Sequence, residues 1–394
     1  MNNIKNTMSN EKMNILFVTT FYPPNNTGAS VVMSNLIKEL DQETIYGVVT
    51  CANSFKDKDE TINDKIVHKL FNFQYLLNPK LWFFFRRFTF NFEKRKVINL
   101  IKKNKITHVI GVYPDLDFLE LARSASEVCG VKFYAYLHDT LTEGLSHKRN
   151  KNIAKVVQQK IFDTSHKIFV MSEGMKDLYK NKYNLQTIPL LHSFSEEVED
   201  KKINNNSNNN IEKSFFWGGS IYSINKETVK RIHRACIDLD YTLTLSAANN
   251  SDKLNKLGFV NNNIKILPFL SREDYITKLK NQAALLLSID WPEESTVHKD
   301  ELGTIFPTKT IEYLISGRPI IVHCPEEYFL AKFFKKHKCG IVLTDKNPQL
   351  IKEQIEAVFS DEKKLQEMVA NAYKASKQFH ISSVKSIFEK NLKG

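Results

Sequence analysis

Short apolar runs alternate with segments of helical periodicity along the whole chain, and this alternation restricts the possible folds more than any other feature. Twelve runs are candidate strands, at 14–21, 46–52, 108–113, 132–138, 167–172, 187–192, 214–219, 242–248, 264–270, 283–289, 318–324 and 340–344. Several are apolar at nearly every position, which is typical of strands buried on both faces of a parallel sheet. The pattern therefore predicts an α/β fold.

The strands fall into two groups separated by an Asn-rich stretch, KKINNNSNNNIEK, at 201–213. Such a polar segment cannot bury a core and is predicted to be a linker. A chain of 394 residues also favours two domains over one. We therefore predict two doubly wound, Rossmann-like domains at 13–200 and 214–378 that face a central cleft. Residues 1–12 are predicted to be a flexible tail, and 379–394 a C-terminal helix that could pack back on the N-terminal domain.

Ligands of doubly wound sheets bind beyond the carboxyl ends of the strands, so the strand-end loops are candidate binding segments. The first, FYPPNNTGASV, puts the amide of Gly28 at a helix start. The loop HDTLTEG begins with His138, and GGSIYSINKETV contains Ser220, Asn225 and Lys226. Each has a structural alternative: Gly28 as a turn glycine, His138 as a buried structural group, and Asn225 as a helix N-cap.

The segment FPTKTIEYLISGRPIIV, residues 306–322, indicates a nucleotide site. Thr308 and Lys309 lie at the start of a predicted helix, where unpaired N–H groups and a cation favour a phosphate. Glu312, one turn further on, suits a group rich in hydroxyls. Phosphate beside a diol describes a nucleotide, whereas the alternative is a solvated Lys–Glu pair on one helix face.

Taken together, these segments resemble the retaining glycosyltransferase family four (glycosyl transferases group 1), which has the GT-B fold. The similar segments occur in the family's order: NILFVTTFYPPNNTGASVVMSNLIKEL, YLHDTLTEG, KIFVMSEGMKDLYKNKYN, ILPFLSREDYITKLKNQAALLLSI and FPTKTIEYLISGRPIIV. Five weak elements in the correct order are more specific than any one of them.

The resemblance implies a role for each candidate residue. Glu312 would bind the ribose hydroxyls of the donor, and the backbone of Phe269 and Leu270 would border the base. Thr308, Lys309 and the amide of Gly28 would lie near the diphosphate, and His138 would contact the transferred sugar as the catalytic residue.

Two parts of the chain depart from the family pattern. Thr304 occupies the place of the first of two glutamates, with Glu301 three residues earlier. Ser220 and Asn225 replace two phosphate-binding cations, with Lys226 one place later.

The implied activity is transfer of a sugar, as in a hexosyltransferase, from a nucleotide-diphosphate donor such as a UDP-sugar to a glycan or lipid-linked acceptor. Retention of configuration and a role in polysaccharide or glycoconjugate synthesis are expected. The alternative is a catalytically silent GT-B-like protein that binds a partner transferase or a glycan. No cofactor or metal is expected, because the two DxD sequences, at 115–117 and 238–240, adjoin predicted helix ends.

The net charge of +12 is concentrated in one segment. Residues 80–105 carry nine Lys or Arg and one Glu, and seven of the eleven residues at 82–92 are aromatic. Residues 79–105 are therefore predicted to dock on an anionic membrane surface. A core helix with snorkelling basic side chains is one alternative, and single-stranded nucleic acid is another, without an accompanying RNA-binding motif. Five dispersed cysteines suit a reducing cytoplasm, so we expect a cytoplasmic protein on the inner face of the membrane.

Overall fold

A computed structural model of the chain describes residues 13–23, 27–40, 45–52, 58–62, 64–71, 79–145, 148–196, 211–246, 251–259, 263–268 and 270–393. The predicted tail at 1–12, residues 201–210 of the predicted linker, and Phe269 lie outside the described residues.

The first sheet has the strand order β3-β4-β2-β1-β5-β6-β7-β8. All its pairings are parallel except β3 with β4, among those whose register is described. Its strands and the helices between them are β1 (Ile15–Val18), α1 (Gly28–Glu39), β2 (Ile45–Ala52), β3 (Glu60–Ile62), β4 (Lys65–Phe71), α2 (Pro79–Lys103), β5 (His108–Tyr113), α3 (Leu116–Cys129), β6 (Lys132–Leu137), α4 (Lys148–Thr164), β7 (Lys167–Val170), α5 (Glu173–Tyr183) and β8 (Ile188–Pro189).

The second sheet has the order β11-β10-β9-β12-β13-β14, and its pairings are parallel. Its elements, with the helices that follow, are β9 (Glu212–Gly218), α6 (Lys226–Asp238), β10 (Thr242–Ser246), α7 (Ser251–Lys256), β11 (Ile264–Leu267), α8 (Arg272–Lys280), β12 (Gln282–Ser288), α9 (Lys299–Leu302), α10 (Thr310–Leu314), β13 (Ile320–His323), α11 (Phe329–His337), β14 (Ile341–Leu343), α12 (Pro348–Phe359), α13 (Glu362–Ser376) and α14 (Ile381–Lys393). The predicted α/β fold class, with two mainly parallel sheets, is confirmed.

Both faces of the second sheet are covered. Along β9, Phe216 joins one hydrophobic cluster, whereas its neighbours Phe215 and Trp217 join another. Strand β12 alternates in the same way, with Leu285 in the first cluster and Leu286 in the second. Since successive side chains of a strand point to opposite faces, the continuous apolar runs of the sequence supply two cores at once.

Two strands, β3 and β4, were not predicted. They form an antiparallel hairpin in which Thr61 pairs with Ile66. Strand β4, KIVHKLF, has exposed or half-buried positions at Ile66, His68 and Lys69, so it lacks the continuous apolar run that marks the other strands.

The described chain forms two compact units. The first contains Met1–His138, Val156–Phe169 and Glu389–Gly394, and the second contains Asp139–Lys155 and Val170–Phe388. Within the first unit, Lys167 Nζ donates to the carbonyl of Asn391 in α14 over 2.9 Å. The domain boundaries drawn from the sequence stay a prediction. Among the described residues, no helix is long and apolar enough to cross a membrane.

Candidate nucleotide site

The candidate site lies at the end of strand β9, in the second unit. Two positions there require glycine. Gly219 has φ +111°, in the region that disfavours side chains. A Cβ on Gly218 would lie 2.4 Å from the hydroxyl of Tyr275. The amide of Gly218 donates to the hydroxyl of Tyr313 over 3.0 Å, which joins β9 to helix α10.

Lys309 directly precedes α10, and its side chain contacts the end of β9. Its Nζ donates to the carbonyl of Gly218 over 2.6 Å and lies 3.2 Å from the ring centroid of Trp217. Both partners are neutral, so they stabilise the cation less than a carboxylate would. Burial lowers the pKa of Lys309 to about 7, against an opposing effect of Glu312. The fold thus holds a cation whose burial is unfavourable, at the position that the sequence predicted.

Glu312 lies in the first turn of α10 and is bonded by a residue that the sequence did not indicate. Nη1 of Arg272 donates to Oε1 of Glu312 over 2.9 Å, and Nη2 of the same guanidinium donates to Glu196 over 2.8 Å. Burial raises the pKa of Glu312, and the hydrogen bond from Arg272 opposes that rise. Arg272 therefore favours the ionised carboxylate that hydroxyl groups bind best.

The backbone of Thr308 bonds a side chain from a distant part of the chain. Nδ1 of His192 donates to the carbonyl of Thr308 over 3.1 Å. His192 is buried, and burial lowers the pKa of its ring to about 4. Leu270 lies two residues before Arg272 and is half-buried.

Polar side chains of the loop before α6 bond to other groups of the same loop and helix. The side chain of Asn225 accepts from the amide of Tyr222 over 3.0 Å and donates to the carbonyl of Ser220 over 3.4 Å. Asn225 makes no side-chain cap of α6. Lys226 forms an ion pair with Glu227 at 2.8 Å, and Ser220 is exposed.

The N-terminus of α6 is capped instead by Asp290. Its carboxylate accepts from the amides of Glu227 and Thr228 over 3.1 and 2.8 Å. These N–H groups would otherwise attract a phosphate. The roles of Ser220, Asn225 and Lys226 in donor binding stay predictions, but the helix terminus beside them already binds an anion of the chain itself.

Glu301 and Thr304 lie near the turn that follows α9. The carboxylate of Glu301 accepts from the hydroxyl of Thr140 and, over 3.1 Å, from its amide, so it fixes the loop that follows Asp139. Burial and the charge of Asp139 raise the pKa of Glu301 to about 7. Thr304 donates its hydroxyl to the carbonyl of Glu301 over 2.9 Å.

Gly28 and His138 belong to the first unit. Gly28 is the first residue of α1, whose N-cap Thr27 accepts from the amide of Ser30 over 3.3 Å. His138 directly follows β6, its amide donates to the carbonyl of Tyr113 over 3.2 Å, and its ring lies edge-on to Tyr136 at 4.4 Å. The roles predicted for both residues stay predictions.

The two DxD sequences have structural partners. Asp115 caps α3 by accepting from the amides of Asp117 and Phe118. Asp240 accepts from Nζ of Lys213 over 2.8 Å. Among the described residues, no group of three His, Cys, Asp or Glu side chains could hold a metal ion.

The comparisons with known proteins agree with this geometry. Residues 249–375 match the family described as Glycosyl transferases group 1. The match covers about a third of the chain. The group 1 segment contains Arg272, Lys309 and Glu312, whereas His192 and Gly218 lie before it. A search of curated protein sequences finds no match to the chain.

Solved structures show a similar fold over almost the whole chain. A sucrose-phosphate synthase from Thermosynechococcus elongatus has a TM-score of 0.71 at 10% identity, covering 97% of this chain and 98% of its own. HepE of Anabaena in complex with UDP-glucose has a TM-score of 0.67 at 14% identity, with 97% and 99% covered. A glycosyltransferase from Rickettsia africae has a TM-score of 0.66 at 14% identity, with the same coverage. The predicted GT-B fold and the resemblance to group 1 glycosyltransferases are confirmed.

Proposed function

We propose that the protein is a glycosyltransferase that moves a sugar from a nucleoside diphosphate donor, a UDP-sugar, to a glycan or lipid-linked acceptor. The observation that carries this proposal is the pair of Lys309 and Glu312, a half-buried cation and a half-buried carboxylate one turn apart beside Gly218. The complex of the similarly folded HepE with UDP-glucose supports the choice of donor.

Lys309 would neutralise charge that develops on the departing diphosphate. Its present partners, a carbonyl and an aromatic ring, leave the cation short of negative charge. A bound diphosphate would raise the pKa of Lys309 and keep it protonated, and the cation would favour the transition state most, where the leaving group gains charge. Glu312 would bind the ribose diol, held in place by Arg272.

The remaining catalytic features follow from the family resemblance. His138 would contact the transferred sugar, the amide of Gly28 would contact the diphosphate, and the leaving phosphate would take the acceptor's proton on the same face. That route retains the anomeric configuration. Hexose transfer without a metal ion, in the synthesis of cell-surface polysaccharide or glycoconjugate, completes the proposal.

The alternative is a catalytically silent protein of the same fold that binds a partner transferase or a glycan. Two observations favour it: Thr304 stands in place of a glutamate, and Lys226 is paired with Glu227 at 2.8 Å. Hydrolysis of UDP-sugars by the purified protein without acceptor separates the two. Slow release of UDP and a free sugar, whose anomer is read by NMR at early times, supports a retaining transferase. Binding without turnover, in the presence of candidate acceptors as well, would support the silent protein.

We also propose that helix α2 docks this enzyme on an anionic, cytoplasmic membrane surface. Phe85, Phe88 and Phe92 are 51%, 73% and 47% exposed at helical spacing, and Lys96 Nζ lies 4.6 Å from the ring centroid of Phe92. Exposed aromatics beside cations suit the interface of an anionic leaflet. The side chains of 79–84, 86 and 87 lie outside those that the structure describes.

A further inference from the structure

His192, which follows β8, has one ring nitrogen bonded and one without a partner. It is 6% exposed, and its Nδ1 lies 3.1 Å from the carbonyl of Thr308. A carbonyl can only accept, so Nδ1 carries the proton and Nε2 of the neutral ring is an acceptor. Among the described residues, Nε2 has no hydrogen-bond partner.

His323 in the same unit provides an internal comparison. Its Nδ1 also bonds a backbone carbonyl, that of Leu343, over 2.9 Å. Burial lowers the pKa of both rings to about 4, so both are neutral at neutral pH. The difference is at Nε2, since that of His323 accepts from Nε of Arg231 over 3.4 Å. The fold thus pairs Nε2 of His323 and leaves Nε2 of His192 without a hydrogen bond, which a bound donor group would supply.

The surroundings of His192 indicate which donor group this is. The bond to Thr308 places the ring of His192 beside the start of α10, the helix that carries Glu312. A vicinal diol presents two O–H donors and needs two acceptors. Oε1 of Glu312 already accepts from Arg272. A phosphate would pair with Nε2 only after the ring gained a proton, which burial opposes, whereas a hydroxyl can donate to the neutral ring.

We propose that Nε2 of His192 accepts a hydrogen bond from a ribose hydroxyl of the nucleotide, which makes His192 a specificity-determining residue for ribonucleotides. This inference rests on the proposed function. A 2′- or 3′-deoxynucleotide would leave the buried Nε2 without its partner, and a site built around a hydroxyl rejects analogues that lack it.

Two substitutions separate the roles of the two nitrogens. The amide of His192→Asn can still donate to the carbonyl of Thr308 from a position close to Nδ1, but it places no acceptor near Nε2. The longer side chain of His192→Gln brings its amide oxygen close to the position of Nε2 without the donor at Nδ1. The matched control is His323→Asn, which alters an equally buried ring with a satisfied Nε2.

The experiment measures the dissociation constants of UDP, 2′-deoxy-UDP and 3′-deoxy-UDP by calorimetry. ADP, GDP and their two deoxy forms are measured in parallel. Wild type and His323→Asn should bind the ribonucleotide at least about fivefold more tightly than one deoxy form. His192→Asn should reduce that ratio to the part that Glu312 provides, and His192→Gln should restore some of the difference.

A ratio unchanged in His192→Asn would overturn the inference alone, whereas a wild type that binds UDP but does not distinguish the deoxy forms would also remove Glu312 from the ribose. In Glu312→Ala one deoxy form should still bind more weakly than UDP, and equal binding of all three there would overturn the inference even if substitution at 192 prevents folding. A wild type that binds none of the ribonucleotides would overturn the proposed function, and this inference with it.

Discussion

Lys309 lowers the stability of the folded protein at neutral pH, at a position where the proposed site needs a cation. Its pKa is about 7 in the folded protein, whereas an unfolded chain holds the same proton up to about pH 10.4. Between these values the unfolded state binds more protons, so the contribution of this group to stability rises with pH, and below about pH 7 burial costs its full amount.

Lys309→Met should therefore raise the free energy of unfolding at pH 7 by about 1 kcal/mol or more, since one pKa unit corresponds to about 1.4 kcal/mol. Thermal melting at pH 7 and pH 9 measures the effect, and the gain should shrink at the higher pH. The same variant should lose affinity for UDP far more than for uridine. A lower melting temperature at pH 7 would mean that the contacts with Trp217 and Gly218 outweigh the cost of burial.

Glu312→Ala should weaken binding of UDP-sugars without unfolding the protein. Loss of charge-assisted hydrogen bonds to a diol costs about 1.5–3 kcal/mol, or roughly 10- to 150-fold in affinity. Calorimetry with UDP tests the prediction. Glu196→Ala is the matched control, because it removes the other partner of Arg272 and leaves helix α10 intact. Equal affinity of Glu312→Ala and wild type would remove Glu312 from the nucleotide site.

At the residue scale, the sequence predicted the groups that one short segment brings together and missed those brought from elsewhere. Thr308, Lys309 and Glu312 are separated by a single helical turn, so their spacing alone places them together. Arg272 lies 40 residues from Glu312, and His192 lies 116 residues from Thr308. No local pattern marks such partners, because only the folded sheet determines which loops meet.

At the scale of elements, the start of α6 shows why a helix N-terminus in a sequence is an ambiguous signal. Asn225 stands at the N-cap position, as a capping residue would, but its side chain bonds the preceding loop. The cap is Asp290, which follows β12 and comes from 62 residues further along the chain. Whether helix N–H groups remain available to a phosphate depends on a side chain that the local sequence does not contain.

Helix α2 gives the prediction for the membrane surface. Binding to vesicles should require acidic lipid and weaken as salt rises, because surface attraction is screened over about 8–10 Å at physiological ionic strength. Each Lys or Arg near the surface contributes about 1 kcal/mol. Flotation with anionic vesicles should therefore be mostly lost when five residues become Gln: Arg86, Arg87, Lys94, Arg95 and Lys96.

A control of equal charge is available in the second unit. Five exposed lysines there can be changed to Gln, namely Lys332, Lys336, Lys363, Lys364 and Lys374. This variant has the same net charge as the α2 variant and should still float. UDP binding should persist in both. Flotation of the α2 variant at the wild-type level, or a wild type that never floats, would assign α2 to the core or to a solvated surface.

For the whole molecule, the alternation of apolar runs and amphipathic segments was sufficient to predict the architecture. All twelve predicted strands overlap observed ones, because a strand covered on both faces must be apolar at successive positions. The hairpin of β3 and β4 was missed because β4 is exposed or half-buried at Ile66, His68 and Lys69. The division of the chain into two units is harder to predict from the sequence. Asp139–Lys155 clusters with the second unit although it follows β6. The bond between Thr140 and Glu301 lies within that unit.

Donor binding should stabilise the whole protein by mass action. A ligand at about 100 times its dissociation constant adds about 2.7 kcal/mol to the free energy of unfolding, which a thermal melt detects readily. We expect UDP and a UDP-sugar to raise the melting temperature more than ADP or GDP, and the preferred sugar to raise it most. The rise should persist in excess EDTA, because Lys309 takes the place of a metal ion beside the diphosphate in the proposed site. A shift that appears only with Mg²⁺ or Mn²⁺ would contradict this assignment and reopen the two DxD sequences as candidate metal ligands.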